Sequence, residues 1–244
     1  MSESHRILAL DAAGSACSAA VWAHGRVVAQ RLVPMARGQS EHLLPMIEEV
    51  MAEAGLAYAE LDAIAASVGP GGFTGVRIGL AAARGLALAC AVPLVGVTNF
   101  EALACAVPEA ELAGGRTLAV LLDAKRTEVY AQAFAADRRP LGDPGLIAPE
   151  RLDQSLPPGP LLLAGDGVAA ARGALAAAGR DLAVSRAGPH AEAAWIARLA
   201  AARPLPAADA PAPAPLYLRQ PDVTLPRHPR PTNPGPAKPG PSGR

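Results

Sequence analysis

The sequence predicts an α/β fold with a mixed β-sheet in each half, and three observations carry the prediction. Apolar runs near the N-terminus pair into a hairpin and give way to alternating helix and strand patterns, an order that builds mixed sheets. The order then starts again: "ILALDAAGSACSAAV" and "LAVLLDAKRTEVYAQAF" both run apolar strand, Asp, small turn, second strand, with Asp11 and Asp123 in matching places. One Asp at a strand end, twice in this length, also arises by chance, so the pattern leaves duplication open. Finally, 244 residues, 51% apolar and 3% aromatic, suffice for one large or two small cores built from Ala, Leu and Val.

The elements follow in order. "RILALDAAG" is a short apolar run ending in turn residues, which suits a central strand. "CSAAVWAHGRVVAQRLV" reads as two strands joined at His24 and Gly25. Over residues 40–55, Leu43, Ile47, Val50 and Ala54 recur at helical spacing; Gly55 is placed for a C-cap and Pro45 blurs the start. "LDAIAASVG" is a buried strand, followed by the glycine-rich loop and helix of "GPGGFTGVRIGLAAARGLAL". "PLVGVT" is a strand, with a helix starting near Asn99. The second half adds two strands around a turn at 123–126, a strand in "PLLLAGDG", an Ala-rich helix at 168–179 and an amphipathic helix at 190–203. These place an N-terminal lobe at 1–102, a C-terminal lobe at 103–203 and a tail at 204–244. The tail holds 13 of the chain's 25 prolines and reads as mostly disordered, apart from "PLYLRQPDV", which can dock on the body. Arg227, Arg230, Lys238 and Arg244 make it mildly basic; a solvated tail and an RNA-touching tail both fit.

Net charge is zero, so no global field draws nucleic acid or an anionic membrane. Cys17, Cys90 and Cys105 are odd in number and widely spaced, as expected of reduced thiols in the cytoplasm. Asp11 interrupts the first apolar run too early for a signal peptide. The least polar stretch, 85–100, contains Pro93 and is too short to span a bilayer, so a soluble, membrane-free protein is expected.

A glycine-rich loop before a helix raises the question of phosphate binding. A P-loop needs Lys-Ser/Thr after its last glycine, where "GVRIG" has none; a dinucleotide site needs an acidic residue about twenty positions on, where "CAVPLVGVT" has none. On the helix, Gly75, Gly79, Ala82, Ala83, Leu86 and Cys90 share a face, with Val76 and Leu80 beside it and Arg77 and Arg84 opposite. Such a stripe lets another backbone come close, either the chain's own sheet or a partner. A Gly79→Leu variant is expected to fold and to lose the partner. None of His5, His24, His42, His190 and His228 has a second His at helical spacing, so no metal site is expected, and no catalytic residue is singled out. Asp11, Asp123 and Asp166 each stand where a strand meets a turn, which makes them candidates for a vestigial nucleotide site.

Together, "ILALDAAGSACSAAV", "GQSEHLLPMI", "SVGPGGFTGVRIGLAAARGLAL", "GVTNFEALA", "LLDAKRTEVYAQAF" and "LYLRQPDV" closely resemble the TsaB family over about residues 6–223. The resemblance implies a two-lobed actin-like (ASKHA, ribonuclease H-like) fold. It also implies a non-catalytic subunit that pairs, through N-terminal-lobe helices, with a TsaD-type transferase in making N6-threonylcarbamoyladenosine at position 37 of ANN-decoding tRNAs. A TsaE-type ATPase joins; tRNA is met through the complex; ATP and metal belong to the partner, with no cofactor expected on this chain; a homodimer through the same face is an alternative. The catalytic paralogue carries two histidines four apart where this chain has His42 and Met46. The chain departs from the family in Gln39-Ser40-Glu41-His42 before the Leu-Leu-Pro, and in "DAAGS" where Asp-Thr-Ser is commoner, which weakens any inherited nucleotide contact. The alternatives of another class are a stand-alone actin-like ATPase or kinase and a peptidase acting on its partner.

Overall fold

The computed structural model describes residues 5–219; Arg227, Arg230, Lys238, Arg244, His228 and the end of "LYLRQPDV" lie outside the described residues. In the first half β1 (Ile7–Asp11), β2 (Ala16–Ala23) and β3 (Arg26–Pro34) form an antiparallel meander. His24 and Gly25 both take positive φ, 53° and 76°, the two-residue turn whose twist matches a hairpin. The helix α1 (Gln39–Ala54) ends on Gly55 in the left-handed conformation, its amide capping Ala52 O and Met51 O. Pro45 lies inside α1, in its second turn, where it removes one backbone bond without breaking the helix. A 3-10 turn (Tyr58–Glu60), β4 (Ala63–Ser67), α2 (Phe73–Cys90), β5 (Leu94–Val97) and α3 (Asn99–Ala106) follow. Thr98 caps α3 in a reciprocal box with Glu101: its hydroxyl accepts the Glu101 amide at 3.1 Å, and Glu101 accepts the Thr98 amide at 2.9 Å.

The second half repeats this order. After the single turn α4 (Glu109–Leu112) come β6 (Thr117–Asp123), β7 (Val129–Phe134) and β8 (Gly145–Ile147). A 3-10 turn (Pro149–Arg151), α5 (Leu152–Ser155), β9 (Leu161–Ala164), α6 (Val168–Ala177), β10 (Leu182–Val184) and α7 (Ala193–Ala201) complete it. The two sheets run β3-β2-β1-β4-β5 and β8-β7-β6-β9-β10, with the first three strands antiparallel and the rest parallel in each. Asp11 and Asp123 both close the central strand of their sheet. The likeness of the two halves is therefore a topological duplication, and the paired mixed sheets are the actin-like architecture. The sequence reading lacked the short β8, β10, α4 and α5, which are too brief to show a period.

The central strands of both sheets are buried on both faces, which is why they read as continuous apolar runs, whereas the edge strand β3 is largely exposed. Leu8, Leu10, Val21 and Ile64 pack under α1 and α2 on the outer side of the first sheet; Leu121, Val129 and Leu163 pack under α5 and α6 outside the second. The inward faces share one core, in which Ile7, Ala9 and Val97 meet Leu118, Val120 and Phe134 through α3 and α7. The closing helices are exchanged: α7, from the second half, lies on the first sheet, and α3 packs on α7 and β6. The expected boundary at 102/103 thus falls inside α3, and the expected C-terminal lobe gives its last helix to its neighbour. Residues 204–219 run back over the body: Leu216 and Leu218, in the segment expected to be able to dock, join the outer and the shared core, the Leu216 amide bonds Val68 O at 2.7 Å, and Leu205, in the part expected to be disordered, joins the shared core as well.

By length and composition α2 is long and apolar enough to cross a membrane. Here its Val76, Gly79, Leu80, Ala83 and Ala87 side is spent on the sheet, and Arg77 and Arg84 stand on its exposed side.

Candidate functional site

The turns that leave the central strands converge on a cleft of about 900 Å3 between the halves. Asp11, Asp123 and Asp166 all line it, so the structure brings together three carboxylates that lie 112 and 43 residues apart in the sequence. Asp11 ends β1 and is 2% exposed; one of its oxygens accepts the Ala13 amide at 3.1 Å. Burial pushes its carboxyl up to about 7 from 3.8, and the Asp166 charge adds to the rise, against hydrogen bonds from Ala13, Ser67 and Ala12. Asp166 stands in the β9–α6 turn and accepts the Asp123 amide at 2.9 Å on one oxygen and the Ser15 hydroxyl at 2.9 Å on the other. Asp123 accepts both the amide and the ammonium of Lys125, at 2.7 and 3.0 Å.

The glycine-rich loop forms one wall, and its glycines serve backbone approach. A Cβ on Gly71 would lie 2.2 Å from Ala13 O, and one on Gly75 would lie 2.2 Å from Ala12 O. The second half repeats the device: at Gly165 a Cβ would lie 2.2 Å from Leu121 O, and at Gly167 2.8 Å from Leu122 backbone atoms. Three amides of these turns are donated within the chain: Gly72 to Ala13 O at 2.8 Å, Gly167 to Leu121 O at 3.0 Å, Gly69 to Ser67 Oγ at 3.1 Å. Buried Asn99 pins the loop through Pro70 O at 3.0 Å, and the Ser67 hydroxyl donates to its amide oxygen. A polyphosphate would meet the three carboxylates of Asp11, Asp123 and Asp166 there, with Lys125 and Arg37 as the cations of the lining, and carboxylates facing the space oppose the nucleotide that actin-like ATPases hold.

Ser15 is a site residue that sequence reasoning missed. Its hydroxyl lies 2.9 Å from Asp166 Oδ2 and 3.2 Å from His190 Nδ1. Here serine is the middle member, whereas a hydrolytic triad puts histidine between serine and acid, so this cluster lacks the geometry that activates a nucleophile. No local pattern signals it, since Ser15 and His190 are 175 residues apart. Among the described residues no group of three or more His, Cys, Asp or Glu side chains is placed to hold a metal. His42 is exposed, while Met46, four residues on, is buried in the α1 core face.

The expected interface set divides. Val76, Gly79, Leu80 and Ala83 are buried against the chain's own sheet, and Gly75 is pressed on Ala12; Ala82, Leu86 and Cys90 are half-buried. Gly79 faces Ala12 N at 3.6 Å, so a leucine would drive its branched end into the helix–sheet packing. Gly79→Leu therefore disturbs the fold and cannot report pairing alone, contrary to the expectation. The outward stripe is Ala81, Gly85, Leu88 and Ala89, with Leu88 84% exposed. Arg77 and Arg84 serve the returning tail: Arg77 Nε donates to the Tyr217 hydroxyl at 3.1 Å and Arg84 Nη2 to Pro213 O at 2.9 Å.

The chain is similar to known proteins over most of its length. The family model described as TsaD, tRNA N6-adenosine threonylcarbamoyltransferase, matches residues 33–202. The tRNA threonylcarbamoyladenosine biosynthesis protein TsaB of Escherichia coli is 37% identical over 133 residues, 54% of this chain and 56% of that protein. Against the relatives that carry this name the match spans about half their length (56% and 51%). An uncharacterised protein of Mycobacterium tuberculosis is 35% identical over 231 residues, 89% of this chain and 93% of its own. The solved YeaZ from Pseudomonas aeruginosa superposes with a TM-score of 0.69 at 31% identity, over 88% of this chain and all of that one.

Proposed function

The chain belongs to the TsaB (YeaZ-like) family, and from that premise we propose that it is the non-catalytic subunit that pairs with and activates a TsaD-type transferase in N6-threonylcarbamoylation of adenosine 37 of ANN-decoding tRNAs. The observation that supports the non-catalytic part is the interlobe cleft, where Asp11, Asp123 and Asp166 face the space and the glycine turns close on the chain's own backbone. ATP and metal then act on the partner subunit, a TsaE-type ATPase joins the assembly, tRNA is met through the complex, and the work is done in the cytoplasm. Pairing falls to the outward stripe of α2 together with half-buried Ala82, Leu86 and Cys90, because a large exposed leucine on a Gly/Ala surface suits a close helix contact. A homodimer through the same stripe is the competing use of that surface.

Reconstitution tests this reading. Transfer to tRNA by the transferase subunit is expected to depend on this chain. Leu88→Glu is expected to fold as wild type and to weaken pairing by about 2 kcal/mol or more, since it places a charge in the centre of an apolar contact. Undiminished pairing of Leu88→Glu in size-exclusion chromatography would overturn the interface. The stand-alone ATPase reading would be revived by tight magnesium-dependent ATP binding in calorimetry that Asp11→Ala abolishes.

A further inference from the structure

We propose that the cavity of about 370 Å3 between the 123–126 turn and the returning C-terminal strap binds a nucleotide unit, its base against the Phe73 and Tyr217 rings and its phosphate among Lys125, Arg126 and Arg219. This cavity opens beside the interlobe cleft, shares Gly71, Gly72, Phe73, Asp123 and Lys125 with it, and is set off by Leu216, Tyr217, Leu218 and Arg219 of the strap. The chain has eight aromatic residues in all, and three of them, Phe73, Tyr130 and Tyr217, line this one space. Phe73 and Tyr217 are each 41% exposed, so they keep ring surface in water that a purely structural contact would have buried. Their ring centroids lie 5.4 Å apart at 34°, and the Arg77 guanidinium sits 3.6 Å from the Phe73 centroid, which stiffens the shelf. Rings that keep an open face beside fixed cations are what stacks a base and holds its phosphate.

The cations are anchored. Lys125 Nζ lies 3.0 Å from Asp123 Oδ2; Arg219 Nη2 lies 2.6 Å from Glu128 Oε2, and its Nη1 donates to Ala124 O at 3.3 Å. Lysine has three donors and arginine five, so both retain N–H groups for a phosphate while their carboxylates hold them in place. Phe73, Asp123 and Lys125 line both spaces; the cleft adds Asp11 and Asp166, whereas this cavity adds Tyr130, Tyr217, Arg126 and Arg219. A free mononucleotide and a nucleotide within RNA share the chemistry, and only the RNA source rests on the tRNA-modification reading above.

The test titrates the full chain with 5′-AMP, ribose 5-phosphate and an anticodon stem-loop RNA of an ANN-decoding tRNA. Binding of 5′-AMP marks a mononucleotide site; binding of the stem-loop without 5′-AMP marks an RNA-borne base; either supports the proposal. Tyr217→Ala and Phe73→Leu are each expected to weaken the bound probe by about tenfold, while Tyr217→Phe retains it. Both rings are half-exposed, and unchanged melting curves certify that the variants fold. The proposal is overturned if neither probe binds, if ribose 5-phosphate competes as well as 5′-AMP, or if Phe73→Leu binds as wild type. Pairing with the transferase subunit is measured separately, so loss of nucleotide binding with pairing intact sinks this inference alone.

Discussion

Gly75→Ala is expected to cost about 3 kcal/mol of folding stability and to lower the melting temperature by about 6–12 °C, whereas Gly85→Ala on the same helix raises stability by about 0.5–1 kcal/mol. The added carbon is identical; its neighbours differ. At Gly75 it arrives 2.2 Å from Ala12 O, an atom of the turn that ends β1, so relief requires moving helix against sheet. At Gly85 nothing lies within 4 Å, and only the backbone entropy of a helical glycine is removed. Thermal unfolding followed by circular dichroism separates the two. A Gly75→Ala protein that melts with wild type would mean that the loop and the β1 turn are not held in that contact.

The same pair shows what the sequence can and cannot say. A glycine-rich turn before a helix announces that something comes close to the backbone, and residues 69–75 announce it clearly. Whether the visitor is a phosphate or another stretch of chain depends on residues distant in sequence, here Ala12 and Ala13. The absence of Lys-Ser/Thr ruled out one visitor without naming the other. Periodicity likewise finds the two sides of α2 but leaves their direction open. Val76, Leu80 and Ala83, expected at a partner, are taken by the sheet; Arg77 is taken by Tyr217 of the segment expected to dock, and Arg84 by Pro213, in the part whose proline content read as disorder.

Elements that persist over several residues were legible: the hairpin at His24 and Gly25, the cap at Gly55, the start of α3 at Asn99, and the repeated strand–Asp–turn. The last led through the topology to the actin-like duplication. The exchange of α3 and α7 was not legible, because it is a long-range packing choice; both helices are small-residue segments that fit either sheet. Of the cleft, the three aspartates were found from their strand ends. Ser15, His190 and Asn99 were not, since each contributes one polar group with no local pattern. Phe73 and Tyr217 were visible as single aromatics in an aromatic-poor chain, but only the fold puts their rings together.

Asp11→Asn is expected to stabilise the protein at pH 8 by an amount on the order of 4 kcal/mol and to change little at pH 4. The folded-state carboxyl sits at about 7 and the unfolded one at 3.8, with burial as the main cause. Between those values the folded chain holds a proton that the unfolded chain has released. Wild-type stability therefore falls as pH rises through this window, and the loss is complete above it. Asparagine does not titrate and can still accept the Ala13 amide through its Oδ1, so the variant escapes the loss while keeping the turn. Melting curves from pH 4 to pH 8 should diverge steadily, with the variant above. A gap independent of pH would mean that Asp11 is ionised in the folded chain, which requires a cation in the cleft and would return the nucleotide–metal reading to consideration. The expected divergence has the opposite meaning: near neutral pH the buried carboxyl of the cleft carries its proton about half the time.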